Sequence, residues 1–172
     1  MTRLAGLSRN LSAFLDMLAH SEGTAGKGDD GYNVLVGGSL FHSYADHPRE
    51  LIQLNPSLAS TAAGRYQLLE RYFDAYKKLL NLPDFSPESQ DKIAVRQIIE
   101  SHALSAVEAG EFQMAVISCA HIWASLPGAG YGQHENTIAS LQAVYVAAGG
   151  GARPQNDEEV NEMLKKASGA GA

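Results

Sequence analysis

The chain is 172 residues long, 45% hydrophobic and carries a formal charge of −6. That length supports one buried core, expected as a single domain with two lobes, and the acidic balance leaves no basic stripe to displace phosphate counterions, which argues against a nucleic-acid partner. Apolar runs fall far short of the roughly 20 residues that span a bilayer, and the N-terminus has neither the basic start nor the apolar run of an export signal, so synthesis in the cytosol with no membrane anchor is expected.

A first helix is expected over residues 9 to 23. Its apolar side chains Leu11, Phe14, Leu15 and Leu18 fall at the i, i+3, i+4, i+7 spacing of one buried face. At about 100° per residue, Glu22 returns to within roughly 20° of Leu11, so it projects from that face in the last turn, and Gly23 stops the helix. Partial desolvation and the negative end of the helix dipole both disfavour the ionised carboxylate, and a Glu that keeps its proton near neutral pH can serve as a general acid. An ordinary surface Glu paired with a Lys would have the same local sequence, so other residues must decide.

Residues 24 to 31 are small, polar and glycine-rich, a loop. Tyr32, Val34 and Val36 alternate with Asn33 and Leu35, and Gly37 and Gly38 precede Leu40 and Phe41, which reads as a hairpin over residues 32 to 43 with a Gly-Gly turn. Asp46, His47 and Pro48 break it, and an irregular stretch follows to Ala63 with a turn at Asn55 and Pro56. Helical spacing returns from Ala63 to Asn81, with Tyr66, Leu69, Phe73, Tyr76 and Leu80 as the buried face and Ser60 or Thr61 as cap. Ser86, Pro87 and Glu88 supply the cap, first-position proline and first-turn acid of a helix to about Ser101. Phe112, Val116, Cys119 and Trp123 define the next, ended by Pro127 and Gly128. Ile138, Leu141 and Tyr145 define a last core helix, closed by Gly149, Gly150 and Gly151. From residue 152 the composition shifts to a charged helical candidate, Asp157 to Lys166, and a Ser, Gly and Ala tail, expected to be an appendage. The fold class is α+β, predominantly helical, with one small hairpin.

Three polar constellations stand apart from the apolar stripes: Ser21 to Thr24 at a helix end, Ser60 to Gln67 at a helix start, and Leu126 to Gln133 in a glycine-rich loop. Singly they read as a cap, a helix start and an interhelical turn. Together they supply an acid, amide groups and tyrosine rings, the equipment for gripping a sugar chain. The third is not a nucleotide loop, since it follows a helix and lacks the Lys of a P-loop. Single Cys119 forms no internal disulfide and sits at core spacing as a small hydrophobe. His42 and His47 flank Asp46, but no helical His pair or Cys pair accompanies them, so hydrogen-bonded or surface histidine is expected and no metal. No Gly-x-Ser-x-Gly nucleophile elbow occurs.

These stretches resemble the phage lambda-type endolysins, lysozyme-like murein lytic transglycosylases. The similarity is carried by Ala13 to Leu18, Ser21 to Thr24, Val36 to Gly38, Asp46 to Arg49, Gly64 to Leu69, Asp84 to Pro87 and Ile122 to Gln133, in order over about residues 11 to 150. The resemblance implies a lysozyme-like two-lobe fold with a small β lobe, a catalytic domain over residues 1–151 and an appendage over 152–172. It implies cleavage of the β-1,4 bond between N-acetylmuramic acid and N-acetylglucosamine, with Glu22 as acid and then base, and 1,6-anhydromuramic ends as products. Tyr32, Asn33, Ser60, Thr61, Gln67, Tyr131 and Gln133 are the expected sugar contacts. Asn33 stands where family members can carry Asp. No cofactor is expected. The expected partner is the peptidoglycan glycan strand, met by a monomer that accumulates in the host bacterial cytoplasm and depends on a holin lesion to reach the wall. Two other readings stay open: a hydrolytic muramidase in which Asp29, Asp30 or Asp46 assists water, and a murein-binding module without catalysis.

Overall fold

The computed structural model describes residues 1–128 and 136–153, and the chain divides into two compact units. One comprises Met1–Gly6 and Leu18–Val95, the other Leu7–Met17 and the chain from Arg96 onward. Helix α1 (Arg9–Ser21) contributes to both. Ser8 caps it by accepting the Leu11 N–H at 3.1 Å. The predicted stripe is buried, yet from Leu11 to Ala19 only Ser12 and Asp16 keep partial exposure, so α1 is a core helix covered on nearly every side.

In the first unit the sheet lies in a different place from the one its sequence suggests. Strand β1 (Ile52–Asn55) pairs antiparallel with β2 (Leu58–Ser60), Ile52 facing Ser60 and Gln53 facing Ala59. Over residues 32–43 the expected return around Gly37 and Gly38 is present, with Leu35 N–H donating to Ser39 at 2.7 Å and Phe41 N–H to Asn33 at 3.0 Å, but only as isolated antiparallel pairs, Val34 with Leu40 and Leu35 with Ala63. The cause is competition for backbone partners. Val36 N–H donates to Ala62 at 2.9 Å and Gly64 N–H donates to Val34 at 2.9 Å, so this segment is held as much by residues 62–64 as by its own return. The hairpin proper turns at Asn55 and Pro56 as expected, but its side chains are mostly exposed, so no buried face marks it in the sequence.

Helix α2 spans Glu70–Leu79, shorter than the predicted 63 to 81. Ahead of it the chain folds back on itself. Ala63 and Leu68 exchange both backbone bonds, at 3.0 and 2.9 Å, and Gln67 takes φ +50, a left-handed conformation incompatible with a helix there. Thr61 nevertheless caps α2 from nine residues upstream, its Oγ1 accepting the Glu70 N–H at 3.2 Å in place of Leu69, which has no side-chain acceptor. Helix α3 (Pro87–Glu100) begins where Ser86, Pro87 and Glu88 place it. Phe73 and Phe85 pack edge to face at 5.0 Å in a core completed by Leu35, Phe41, Leu68, Leu82 and Ile93.

The second unit holds α4 (Leu104–Ala109), α5 (Phe112–Cys119) and α6 (Ile138–Ala147). Helix α4, six residues long, is too short to show periodicity and is not anticipated by the sequence. The structure ends α5 at Cys119 rather than at Pro127: there the bonding tightens, Ala120 N–H turning to the Ile117 carbonyl at 3.3 Å and Ile122 N–H to that of Cys119 at 2.9 Å. Trp123 is buried beyond the helix. Phe112 packs on Phe14 at 6.3 Å and on Tyr145 at 4.9 Å, and the Asn10 amide joins the Glu108 carbonyl to the Gly151 N–H at 3.0 and 2.9 Å. The Asp157 to Lys166 helical candidate lies outside the described residues.

Candidate functional site

The end of α1 is closed by a reciprocal backbone motif that fixes Glu22. Its N–H keeps the helical bond to Leu18 at 2.9 Å, Gly23 N–H returns to His20 at 2.9 Å, and Thr24 N–H returns to Ala19 at 3.0 Å. That is a Schellman closure with Glu22 as the last helical-side residue and Gly23 in the left-handed position, at φ +68. Glu22 is half-buried, one step past the fully covered part of the helix.

The chain beyond Glu22 is fastened to the turn that carries Gln67. The buried Thr24 hydroxyl lies 2.6 Å from the Arg65 carbonyl and 3.1 Å from that of Ala19. Arg65 is itself buried. Its Nη1 pairs with the Asp30 carboxylate at 2.7 Å and also donates to the Asp30 carbonyl, its guanidinium lies 5.0 Å from the Tyr32 ring centre, and its N–H donates to Gln90 Oε1 at 2.9 Å. Burial by itself would raise the Asp30 pKa, but the N-terminal ammonium, the Gly26 N–H and Arg65 outweigh it and hold the group at about 2.

Of the expected sugar contacts, Tyr32 is fully buried, and its hydroxyl donates to Asp91 at 2.8 Å while accepting from the Arg3 N–H at 3.1 Å. It belongs to the interior and offers no surface to a sugar. Asn33 uses its amide on the backbone, accepting from Asp29 N–H at 2.8 Å and donating to the Phe41 carbonyl at 3.2 Å. Gln67, half-buried, donates to the carbonyls of Gly64 at 2.9 Å and Val34 at 3.3 Å, so its amide oxygen faces no partner among these bonds. Ser60 and Thr61 line a groove of about 430 Å³ with Leu69, Glu70, Arg71 and Asp74. Tyr131 and Gln133 lie outside the described residues.

The acids that a water-activating mechanism would need are already engaged. Asp29 accepts from Tyr44 at 2.8 Å and pairs with Arg3 at 2.6 Å, and Asp46 pairs with Arg49 at 2.8 Å and Lys77 at 2.9 Å. The Tyr44 hydrogen bond lowers the Asp29 pKa, and Arg49 with Lys77 brings that of Asp46 to about 2. Neither is a strong base. His47 is buried between Phe73 and Phe85, its Nε2 3.0 Å from the Leu68 carbonyl, the hydrogen-bonded role its sequence setting suggests.

Two residues that organise this unit give no sequence signal. Asp91, fully buried on α3, accepts from Thr2, Arg3 and Leu4 on Oδ2 at 2.6, 2.7 and 2.8 Å, and from Tyr32 and Tyr66 on Oδ1 at 2.8 and 2.6 Å. Gln90 seats Arg65 and donates to the Tyr32 and Phe85 carbonyls at 3.0 and 2.9 Å. No local pattern singles out either, because their partners lie far away in the chain.

A sequence model described as endolysin matches residues 12–152. The chain is 54% identical over 151 residues to the endolysin of Escherichia phage lambda, covering 86% of this chain and 96% of that protein. It is 46% identical over 155 residues to the endolysin of Escherichia phage P2, covering 83% and 94%. Among solved structures it resembles bacteriophage lambda lysozyme complexed with a chitohexasaccharide, with a TM-score of 0.85, 52% identity, and coverage of 87% of this chain and all of that one. A second structure, lysozyme from bacteriophage lambda, matches with a TM-score of 0.80.

Proposed function

The chain belongs to the endolysin family, and from that premise we propose that it degrades peptidoglycan as a lytic transglycosylase in which Glu22 is first acid and then base. The observation that carries the reading is the placement of Glu22: half-buried at a rigidly closed helix end, two residues from a hydroxyl tied to the Gly64–Gln67 turn. The Glu22 carboxyl gives its proton to the oxygen linking N-acetylmuramic acid C1 to N-acetylglucosamine, and that C1–O bond breaks. The resulting carboxylate takes the proton of the muramic acid C6 hydroxyl as O6 bonds to C1. The 1,6-anhydro ring closes, Glu22 regains its proton, and no water is consumed. A single carboxylate is enough, unlike the two-carboxylate hydrolytic scheme.

The hydrolytic alternative would need a second carboxylate as base or nucleophile. Asp29, Asp30 and Asp46 are each committed to cations or a tyrosine hydroxyl, which favours the water-free route. A relative solved with a chitohexasaccharide supports a glycan as the ligand. Ser60, Thr61 and Gln67 remain the candidate contacts within the described residues, with Tyr131 and Gln133 beyond them. We assign catalysis to residues 1–151 and an appended role to 152–172. No helix among the described residues is long and apolar enough to cross a membrane. The protein, as a monomer, accumulates in the host cytoplasm and reaches the wall through a holin lesion.

Clearing of a cell-wall suspension by Glu22→Gln tests the assignment. A fall of at least about 100-fold with murein binding retained is expected, the usual contribution of a positioned acid and base; clearing at the wild-type rate would overturn it and leave a binding module.

A further inference from the structure

We propose that Thr24 is a positioning residue for Glu22: its hydroxyl, anchored on the Arg65 backbone, sets the direction in which the acid leaves α1. The inference rests on the catalytic reading of Glu22 and adds a residue to which no role in the reaction has been given. Thr24 is 2% exposed and two residues from Glu22, across the Gly23 turn. Its backbone N–H, its hydroxyl and the Ala25 N–H all converge on the Ala19 carbonyl, at 3.0, 3.1 and 3.2 Å. The Ala19 carbonyl therefore gathers the chain after Gly23, beside the Gly23 N–H bond to His20 that completes the reversal presenting Glu22.

The hydroxyl has a second acceptor in the Arg65 carbonyl at 2.6 Å. That backbone is fixed from the other side, since Arg65 N–H donates to the buried Gln90 of α3 at 2.9 Å and Gly64 N–H donates to Val34 at 2.9 Å. The line from α3 through Arg65 to Thr24 thus references the acid to the turn carrying Gln67. Gly31 presses on the same side chain. A Cβ built on Gly31 would fall 2.9 Å from Thr24 Oγ1 and 3.0 Å from its Cβ, closer than side chains tolerate, so the loop after Glu22 is shaped around this threonine. A surface hydroxyl satisfying a helix end would need none of this; a caliper for a carboxylate would need all of it.

The test compares Thr24→Val, which keeps the shape and removes the hydroxyl, with Thr24→Ser, which keeps the hydroxyl and loses the methyl. Initial rates are measured on soluble uncross-linked murein strands, with calorimetric titration of chitohexaose to count competent molecules. For Thr24→Val, kcat falls about 10- to 100-fold while KM stays within about twofold and the binding stoichiometry is unchanged, the scale expected when a catalytic group is displaced by about an ångström. Thr24→Ser keeps kcat within about threefold. A purely structural threonine would lower the stoichiometry in proportion to the rate, and that result overturns the proposal, as does wild-type kcat in Thr24→Val. If Thr24→Val does not fold, Thr24→Ser decides alone: a tenfold fall in its kcat rejects the role of the hydroxyl. Glu22→Gln runs alongside, so activity in that variant would discard the catalytic reading itself, whereas an inactive Glu22→Gln beside an unimpaired Thr24→Val discards only the role given to Thr24.

Discussion

Arg65 and Asp30 form an ion pair of 2.7 Å whose two sides are unequally wet, the guanidinium 1% exposed and the carboxylate 32%. Removing the wet side strands a cation that water cannot reach; removing the dry side leaves an anion that water can. Asp30→Asn is therefore expected to cost more, about 3 kcal/mol, than Arg65→Met, at roughly half that. Urea midpoints of the two variants at neutral pH check the order, and equal losses would mean that burial asymmetry does not govern the pair.

The same carboxylate sets an acid-side prediction. Its pKa is held at about 2, below the ordinary 3.8, so its contribution to stability is complete above the unfolded value and disappears as pH falls through the folded one. The stability gap between the wild type and Asp30→Asn should stay constant above about pH 4 and narrow by about 1–2 kcal/mol as the pH falls to about 2, after allowance for solvent screening.

His47 acts in a higher window. Burial lowers its pKa from 6.5 against the opposing pull of the Leu68 carbonyl, and Nδ1 accepts the Arg49 N–H at 3.1 Å, so both ring nitrogens are satisfied in the neutral form. The unfolded chain takes up this proton first, so stability declines as pH drops below 6.5. His47→Gln should lower stability at pH 7 yet flatten its decline toward acid; an unchanged slope in chemical denaturation would contradict the assignment.

Thr61 closes the first turn of α2 through the Glu70 N–H. Thr61→Ala is expected to cost about 1 kcal/mol and Thr61→Ser much less, because only the first loses the acceptor. Thermal unfolding of the two variants distinguishes this from a packing effect, which would penalise both alike.

What could be read in the sequence was whatever its own neighbours decide. Ser86, Pro87 and Glu88 start α3 through local bonds, Gly23 ends α1 because the left-handed position asks for it, and the stripe from Leu11 to Leu18 is buried as its spacing implies. Errors arose where distant partners win. Ala63 reads as the start of a helix, but Leu35 and Leu68 claim its backbone, and residues 34–36 divide their bonds between their own return and residues 62–64. The β1–β2 hairpin carries no alternating buried face in the sequence because its leucines face outward, Leu54 at 41% and Leu58 at 43% exposed. Tyr32 looked like a sugar contact; its hydroxyl instead meets Asp91, 59 residues away, and no local pattern announces such a partner. The half-buried placement of Glu22 ahead of Gly23 is legible because periodicity and the glycine behind it act over a single helix.

The most direct test of a single-carboxylate, water-free mechanism is mass spectrometry of murein digested by the wild-type protein in water labelled with heavy oxygen. The account predicts unlabelled 1,6-anhydromuramic ends; reducing ends carrying the label would show that water, rather than the C6 hydroxyl, attacks the sugar, and would contradict it.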